Sequence, residues 1–338
     1  MAHIIANPWR KTGLGTPLPS TDTEAVSSLL NRCPAHVETP LRYVPELASR
    51  MGVASVAIKD ERSRMNLGSF KALGAAYVIA REAETRAMTE QTFATASAGN
   101  HGLSVAVGAQ VFGAKAVIYL AATVPEAFAD RLRALGAQVV RAGHDYEASM
   151  AAATRDAAAQ GWTLLSDSSW PSYIDLPHRV MEGYLQLAKE AAHQMSEPPT
   201  HIFLQAGVGG LAGAVAAYAR TVWGDAPEII VVEPEAAPAL QKSILAGQVI
   251  DTSGPVSAMG RLDCKTPSLI AFNGLAKDAD RFMTISEDEA ESAMPILKEL
   301  GLDTTPSGGA GLAALLTGLD LGARARVWAI LSEGPEDA

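Results

Sequence analysis

This chain of 338 residues is short of cysteine, aromatic residues and long apolar runs, and each shortage narrows what it does. Cys33 and Cys264 are its only cysteines. Two distant thiols make neither a disulfide framework nor a metal-ligand set, so no metal is expected and a reducing cytoplasm is the natural setting. No apolar stretch reaches the roughly 18 residues that a membrane span needs, so no membrane partner is expected. The opening residues, Met1 to Thr12, include Pro8, Trp9, Arg10 and Lys11 and lack the apolar core of a secretory signal. Positive charge is also scarce: a net charge of −10 argues against a nucleic-acid partner. There is no repeat, low-complexity tract or Gly/Ser linker, so any lobes are joined by the folded chain itself, and more than once.

What is present is an Ala-, Gly-, Val- and Leu-rich chain, 48% hydrophobic, long enough for two lobes rather than one simple core. Its acidic balance is ordinary for a soluble enzyme and says nothing of substrate charge. Strands are predicted at Ser55–Lys59, Thr92–Ala96, Ala116–Leu120, Gln138–Ala142, Thr163–Ser166, His201–Gln205, Glu228–Glu233 and Arg326–Leu331. Helical patterns lie between them, at Ala72–Ala83, His101–Val111, Glu126–Leu135, Tyr146–Gln160, His178–His193 and Leu211–Val222. This alternation predicts an α/β fold of parallel strands covered by helices. Pro198-Pro199-Thr200 is the clearest local break. Met1–Val37 has weak periodicity and is expected to wrap over the body as an arm.

Three segments carry chemistry. In Asn66-Leu67-Gly68-Ser69-Phe70-Lys71 a lysine follows a small-residue turn and opens a helix. A helix-start lysine is usually a solvated one. If buried, its pKa falls and the neutral amine becomes a nucleophile toward carbonyls, as a Schiff-base lysine requires. Gly207-Val208-Gly209-Gly210-Leu211 leaves an apolar strand and enters a helix. Its glycines let backbone amides point into one cavity at a positive dipole end, which suits a phosphate; a tight strand-to-helix turn is the plainer alternative. It is neither a Walker loop, lacking Gly-Lys-Ser/Thr, nor a convincing dinucleotide fingerprint. Ser97-Ala98-Gly99-Asn100-His101-Gly102 also joins a strand to a helix. Ser97 or Asn100 suits the helix cap. Capping explains one polar residue, not a Ser, an Asn and a His set among glycines. Backbone amides here suit a carboxylate, and Asn100 suits an aromatic hydroxyl. His101 taken alone reads better as a structural hydrogen-bonding histidine than as a base.

In residues, order and spacing, these segments resemble those of the pyridoxal-phosphate enzymes with the tryptophan-synthase β-subunit fold, fold type II. The likeness runs from Thr39-Pro40-Leu41 to Ser332-Glu333-Gly334. Within that family the chain most resembles the diaminopropionate ammonia-lyase branch. The marks are Lys59-Asp60-Glu61, Leu165-Ser166-Asp167-Ser168-Ser169-Trp170, Tyr173-Ile174-Asp175-Leu176-Pro177 and Met181-Glu182-Gly183-Tyr184, with the strand and loop from Thr200 to Gly209. It also resembles the threonine and serine dehydratases. The resemblance implies two open, twisted, mostly parallel sheets flanked by helices. The large cofactor-binding lobe would be residues 1–89 with 178–338, the small lobe 90–177, and the assembly a homodimer. It implies pyridoxal 5′-phosphate on Lys71, next to Phe70. The phosphate would lie on Gly207, Val208, Gly209, Gly210 and Leu211, the 3′-oxygen at Asn100 and the pyridine nitrogen at Ser332. The substrate carboxylate would be held by Ser97, Ala98, Gly99 and His101. A neutral hydroxyl at Ser332 would leave the ring a weaker electron sink than an aspartate would, which suits a short elimination.

The chain also departs from that branch. Where the lyases carry an Asp that looks like the base for D-isomers, this chain has Ala98, while Asp167 matches the Asp that serves L-isomers. Without the family likeness, Asp167 reads equally well as a helix cap. Arg261, in Met259-Gly260-Arg261-Leu262-Asp263-Cys264, replaces a small residue; it is a candidate for a second acidic group on the substrate, or a surface arginine. Pro306 stands where an acidic residue is common, and the chain stops soon after Gly334, so no regulatory C-terminal domain is expected.

The expected activity is an α,β-elimination (ammonia-lyase) on a small β-substituted amino acid such as 2,3-diaminopropionate, giving a 2-oxo acid and ammonia. Lys71 and Asp167 are the catalytic candidates. The rivals are a dehydratase of serine, threonine or 3-hydroxyaspartate, which Arg261 would suit, a β-replacement synthase, and a non-catalytic amino-acid-binding protein.

Overall fold

The computed structural model describes residues 3–335; the ends of the expected large lobe, Met1, Ala2 and residues 336–338, lie outside the described residues. The chain begins β1 (His3–Ala6), α1 (Thr23–Leu30), β2 (Leu41–Tyr43), α2 (Pro45–Met51), β3 (Ser55–Asp60), α3 (Lys71–Ala83), β4 (Thr92–Ala96) and α4 (Asn100–Phe112). It continues β5 (Lys115–Leu120), α5 (Glu126–Ala134), β6 (Gln138–Arg141), α6 (Tyr146–Gln160), β7 (Thr163–Leu164), α7 (Asp175–Gln194), β8 (His201–Gln205) and α8 (Gly210–Trp223). The last elements are β9 (Glu228–Pro234), α9 (Ala239–Ala246), α10 (Leu269–Asp278), β10 (Arg281–Ile285), α11 (Glu287–Glu299), α12 (Ala310–Leu316) and β11 (Arg326–Leu331).

These strands form two sheets. The larger has the order β1-β10-β9-β8-β11-β3-β2, the smaller β6-β5-β4-β7. All pairings are parallel except at the two edges of the large sheet, where β1 runs antiparallel to β10 and β2 to β3. The central strands are apolar on both faces, as Ile229 to Val232 of β9 show, because helices cover both sides of a parallel sheet. The mostly parallel α/β architecture expected from the alternation is therefore present.

Three strands escaped the sequence pattern. β1 and β2 are edge strands of four and three residues, too short to show a period. β10 (RFMTI) has the composition of a buried strand but lay outside the predicted set. The expected strand Thr163–Ser166 stops at Leu164, because Tyr173 Oη accepts the Ser166 N–H at 3.1 Å and diverts the chain from the ladder. The N-terminal segment is more than an arm. It supplies β1 to the sheet edge, its Asn7 amide donates to the Leu275, Ala276 and Ala279 carbonyls, and Ser27 on α1 donates to Gln186 of α7 at 2.9 Å.

Two features fix α3, the helix that starts at Lys71. The first is a buried ionic network. Arg64 reaches Glu61 at 2.7 Å and Glu190 at 2.6 Å, and Lys59 reaches Glu190 at 2.8 Å, all on side chains almost without exposure. This network accounts for Lys59 and Glu61 of the Lys59-Asp60-Glu61 motif as structural residues, while Asp60 pairs separately with Arg62 at 2.7 Å; charges taken out of water are retained here because each has partners. The second is a close crossing of α3 on α7. A Cβ at Gly183 would lie 2.5 Å from the Leu73 carbonyl oxygen, and one at Gly74 would lie 2.7 Å from a Tyr184 ring carbon. Glycine at both positions lets the helices meet backbone to backbone, and that contact fixes Tyr184 beside the start of α3. Gly183→Ala is expected to lower stability by about 1–3 kcal/mol through overpacking, seen as a lower chemical-denaturation midpoint. An unchanged midpoint would show that the crossing is not close.

Candidate active site

The cleft lies where strand C-terminal ends of both sheets converge, the usual ligand position in open α/β sheets. β4 delivers Ser97 to Asn100, β7 delivers Asp167, β8 delivers Ala206 to Gly209, and β11 delivers Ser332 and Glu333. The turn after β3 leads to Ser69 and Phe70 and so to Lys71, the first residue of α3. Phe70 N–H donates to the Ser332 carbonyl at 3.2 Å, and Gly334 N–H donates to the Gly68 carbonyl at 3.0 Å, so the lysine turn is tied to the end of β11.

Lys71 Nζ forms an ion pair with Asp167 Oδ2, with the two side chains only 23% and 17% exposed. It also lies 5.3 Å from the Phe70 ring centre and 5.7 Å from that of Tyr184. Burial acts to lower the Lys71 pKa, but the Asp167 carboxylate outweighs it and holds the amine above the ordinary lysine range. Conversely, burial acts to raise Asp167, but Lys71 and then His101 hold it well below the usual carboxylate range. The resting pair is ammonium and carboxylate. Asp167 thus meets the lysine and does not act merely as a helix cap. Its turn is braced: Tyr173 Oη donates to the Leu164 carbonyl at 2.7 Å, the Trp170 and Tyr173 rings stack at 4.5 Å, and Ser169 Oγ bonds Ser268 Oγ at 2.7 Å.

The glycine loop sits beside this pair. Gly209 has φ of +94°, a conformation glycine tolerates and most residues do not. A Cβ at Gly207 would lie 2.9 Å from Cys264 Sγ and 3.1 Å from the Arg261 carbonyl oxygen. The loop opens α8, whose first turn of amides has no intrahelical acceptor. Gly210 lies against Met181, Tyr184 and the Asp167 carbonyl, with Leu211 buried behind it, and the Val208 carbonyl accepts the Ser268 N–H at 2.9 Å. A cradle with no room for a Cβ at Gly207 and a left-handed backbone at Gly209, at a helix N-terminus, next to a half-buried lysine, fits a phosphate-bearing aldehyde: amides for the phosphate and an amine for the carbonyl carbon.

On the other wall, Ser97 Oγ accepts from the amides of Gly99 at 3.3 Å and Gly102 at 3.1 Å, so Ser97 shapes the loop. Ala98 is exposed and carries no carboxyl. Asn100 donates through Nδ2 to the Glu333 carboxylate rather than to an aromatic hydroxyl. Arg261 Nη1 pairs with Glu333 Oε1 at 3.0 Å, and the Arg261 Nε lies 3.9 Å from where a Gly99 Cβ would stand. Arg261 is therefore a cleft residue, not a remote surface one. His101 is buried and its Nε2 lies 2.8 Å from the Leu165 carbonyl oxygen, so that nitrogen carries the hydrogen. Burial lowers its pKa, which keeps the ring neutral. The Ser332 backbone N–H donates to the Gly308 carbonyl at 3.1 Å, and its side chain is buried at the end of β11.

Four residues here carried no expectation from sequence. Glu333 gathers Asn100, Arg261 and Thr305 on one carboxylate. The Cys264 thiol is pushed up to about 12 by burial and by Asp167, so it stays protonated. Tyr146 opens α6 at the edge of the cleft and is 47% exposed; partial withdrawal of its hydroxyl from water, then Asp167 and Cys264, raise its pKa. Tyr184 is fully buried beside Lys71. Glu333, Tyr184 and Cys264 each lay in a quoted motif, Ser332-Glu333-Gly334, Met181-Glu182-Gly183-Tyr184 and Met259-Gly260-Arg261-Leu262-Asp263-Cys264, but none was given a role there. Among the described residues no cluster of three or more His, Cys, Asp or Glu has the arrangement of a metal site.

The electrostatics of the pair give a direct test. Asp167→Asn removes the charge that holds Lys71 up and leaves the burial that pulls it down. The pH midpoint for reductive methylation of Lys71 in the cofactor-free protein, followed by peptide mass, is expected to fall. A midpoint that stays or rises would contradict the pairing.

The family described as pyridoxal-phosphate dependent enzyme matches residues 33–333. The diaminopropionate ammonia-lyase of Escherichia coli strain K12 is 33% identical over 280 residues, 77% of this chain and 70% of that protein. The L-serine dehydratase/L-threonine deaminase of Bos taurus is 28% identical over 285 residues, 83% of each chain. The crystal structure of the Escherichia coli diaminopropionate ammonia-lyase in complex with an aminoacrylate-PLP azomethine reaction intermediate matches with a TM-score of 0.89 and 29% identity, over 99% of this chain and 94% of that one. With the paired lysine and the glycine cradle at the strand ends, these likenesses show that the chain belongs to the pyridoxal-phosphate-dependent enzyme family, among its fold type II carbon–nitrogen lyases.

Proposed function

We propose that this protein is an ammonia-lyase that eliminates the β-amine of a small amino acid such as 2,3-diaminopropionate. The observation that carries the reading is the Lys71–Asp167 pair beside the Gly207–Gly210 cradle. Lys71 would hold pyridoxal phosphate, with the phosphate on the amides of Gly207 to Leu211, Asn100 and Ser332 facing the ring, and Ser97 to His101 receiving the substrate carboxylate. Phe70 supports the lysine turn. The cofactor, when bound, supplies an electron-withdrawing ring that takes up negative charge developing at the substrate Cα.

The rest is work for the chain's own groups. Lys71 Nζ in its neutral form takes the proton from Cα. The resulting ammonium is held by Asp167, whose carboxylate keeps that proton in place. Asp167 is too acidic to donate a proton on its own account, so the Lys71 ammonium, steered by Asp167, gives the proton to the departing β-nitrogen. One proton thus passes from Cα to the leaving group, and ammonia departs. Hydrolysis of the released enamine gives a 2-oxo acid and a second ammonia.

A second reading is dehydration of serine, threonine or 3-hydroxyaspartate, and Arg261 beside Gly99 is the observation that favours it. The lobes are proposed as 1–89 with 178–338 and 90–177, centred on the large and small sheets. The setting is proposed as cytoplasmic, since both cysteines are free, and the assembly as a homodimer. No helix among the described residues is long and apolar enough to cross a membrane.

Stoichiometry tests the choice. With 2,3-diaminopropionate the protein is expected to release two ammonia per 2-oxo acid, and Lys71→Ala to release none. The L-isomer is expected to react well ahead of the D-isomer, because Ala98 offers no second base. Asp167→Asn is expected to lower turnover, because Lys71 loses the carboxylate that steers its proton; a loss as large as roughly 10²–10⁴-fold would instead mark Asp167 as transferring a proton itself. Release of ammonia and oxo acid in equal amounts, and only from hydroxy amino acids, would favour the dehydratase. No release from any amino acid would overturn both readings.

A further inference from the structure

Glu233 sits one residue before the end of β9, and nothing in the elimination described above uses it. It is fully buried, and among the described residues no lysine, arginine or histidine pairs with it. A carboxyl group taken out of water without a cation is costly, so its presence calls for an explanation. Two backbone bonds supply one. The Leu240 N–H donates to Oε1 at 2.7 Å and the Gln241 N–H to Oε2 at 2.8 Å. These are the second and third residues of α9, and first-turn amides have no intrahelical acceptor. The cap position itself is Pro238, whose side chain accepts nothing. Glu233 therefore caps α9 from the strand before it. Burial pushes its carboxyl up to about 8, and the two N–H donors pull against that. Two acceptor oxygens serve both donors; a glutamine there would offer one oxygen and set its NH2 against the other N–H.

α9 in turn backs the glycine cradle. Leu240 is fully buried, and its Cδ1 lies 3.0 Å from where a Gly209 Cβ would stand. Ala271 of α10 lies 3.0 Å from the same point. These two apolar groups fill the space that a side chain at Gly209 would take, so the loop rests on both helices. Each helix is held at its start by a side chain from elsewhere. For α10 it is Ser169, whose carbonyl accepts the Leu269 N–H at 3.0 Å and whose Oγ accepts the Ile270 N–H at 3.0 Å. For α9 it is Glu233. With eight residues α9 is too short to be stable as a helix by itself, so its first turn depends on that cap. We infer that Glu233 is a positioning residue for the cofactor phosphate: by fixing the first turn of α9 it sets Leu240 against Gly209 and holds the loop amides where the phosphate needs them. Glu233 acts through Leu240 on one loop. Its effect therefore falls on the phosphate and not on the aldehyde that meets Lys71.

This inference rests on the reading that Gly207 to Leu211 hold the phosphate, and its test separates the two ideas. Pyridoxal has the aldehyde of pyridoxal phosphate but no phosphate. The dissociation constants of both are measured on cofactor-free protein, from the absorbance change as the aldehyde joins Lys71. The ratio of the two constants reports what the phosphate contributes. The comparison is made at about pH 9, above the Glu233 value of about 8, so that the parent carboxyl is ionised. Glu233→Gln is expected to lower the ratio by about 3–10-fold, a part of the worth of a lost hydrogen bond to a charged group, and to leave the constant for pyridoxal unchanged. Leu240→Ala keeps the Glu233 carboxyl and both N–H donors and is expected to lower the ratio by a similar factor. In the double variant the two losses are expected to overlap rather than multiply. An unchanged ratio in either variant would overturn the inference, and Leu240→Ala decides it alone if Glu233→Gln does not fold. Equal weakening of both aldehydes would also overturn it, by marking Glu233 as a general structural group. A parent that gained nothing from the phosphate would overturn the cradle reading, and the inference with it.

Discussion

A lysine amine withdrawn from water needs a counter-charge, and meeting that need organises the cleft. Lys71 opens α3 where the ends of β3 and β11 meet, and Asp167 comes from the turn beyond β7. One side chain follows a strand of the large sheet and the other a strand of the small sheet, so the pair spans the seam between them. Burial alone would make the amine neutral and reactive; Asp167 holds it charged. Reactivity is then conditional on how that pairing is relieved. The braces around Asp167, from Tyr173, Trp170 and the Ser169–Ser268 bond, hold the counter-charge to a single position.

A second carboxylate, Glu333, plays a matching part on the opposite wall. It takes hydrogen bonds from Asn100 of the small-sheet side and Thr305 of the large-sheet side, and it pairs with Arg261. Both carboxylates therefore bridge elements of the two sheets across the same cleft. With the Gly74–Gly183 crossing beneath them, they confine the lysine, the aromatic pair Phe70 and Tyr184, and the Gly207–Gly210 cradle to one small volume. Charge is handled by two acids whose partners are fixed, while the glycines keep side chains out of the space that a cofactor requires.

The parallel α/β architecture was legible because fully buried strands such as β9 read as short continuous apolar runs, whereas helices such as α7 carry a 3.6-residue period. Residues 3–6 and 41–43 were not, since an edge strand of three or four residues has no period to detect. The glycine loop was legible because glycines at a strand-to-helix turn have a backbone meaning. Lys71 was legible only through its neighbours, since a helix-start lysine is ordinary in isolation. Tyr184 and Cys264 were illegible for a physical reason. Each enters the cleft through a tertiary contact, Tyr184 by the glycine crossing and Cys264 by its approach to Gly207, and neither contact leaves a pattern along the chain. Arg261 was seen as a departure from its family, yet its placement above Gly99 and its pairing with Glu333 came only with the fold.

The central claim is that one amine among the protein's lysines carries the chemistry. The most direct measurement is borohydride reduction of the protein loaded with pyridoxal phosphate, followed by peptide mapping. The account predicts a single modified site, Lys71, and loss of that label in Lys71→Ala. Labelling at any other lysine, with Lys71 left unmodified, would contradict it.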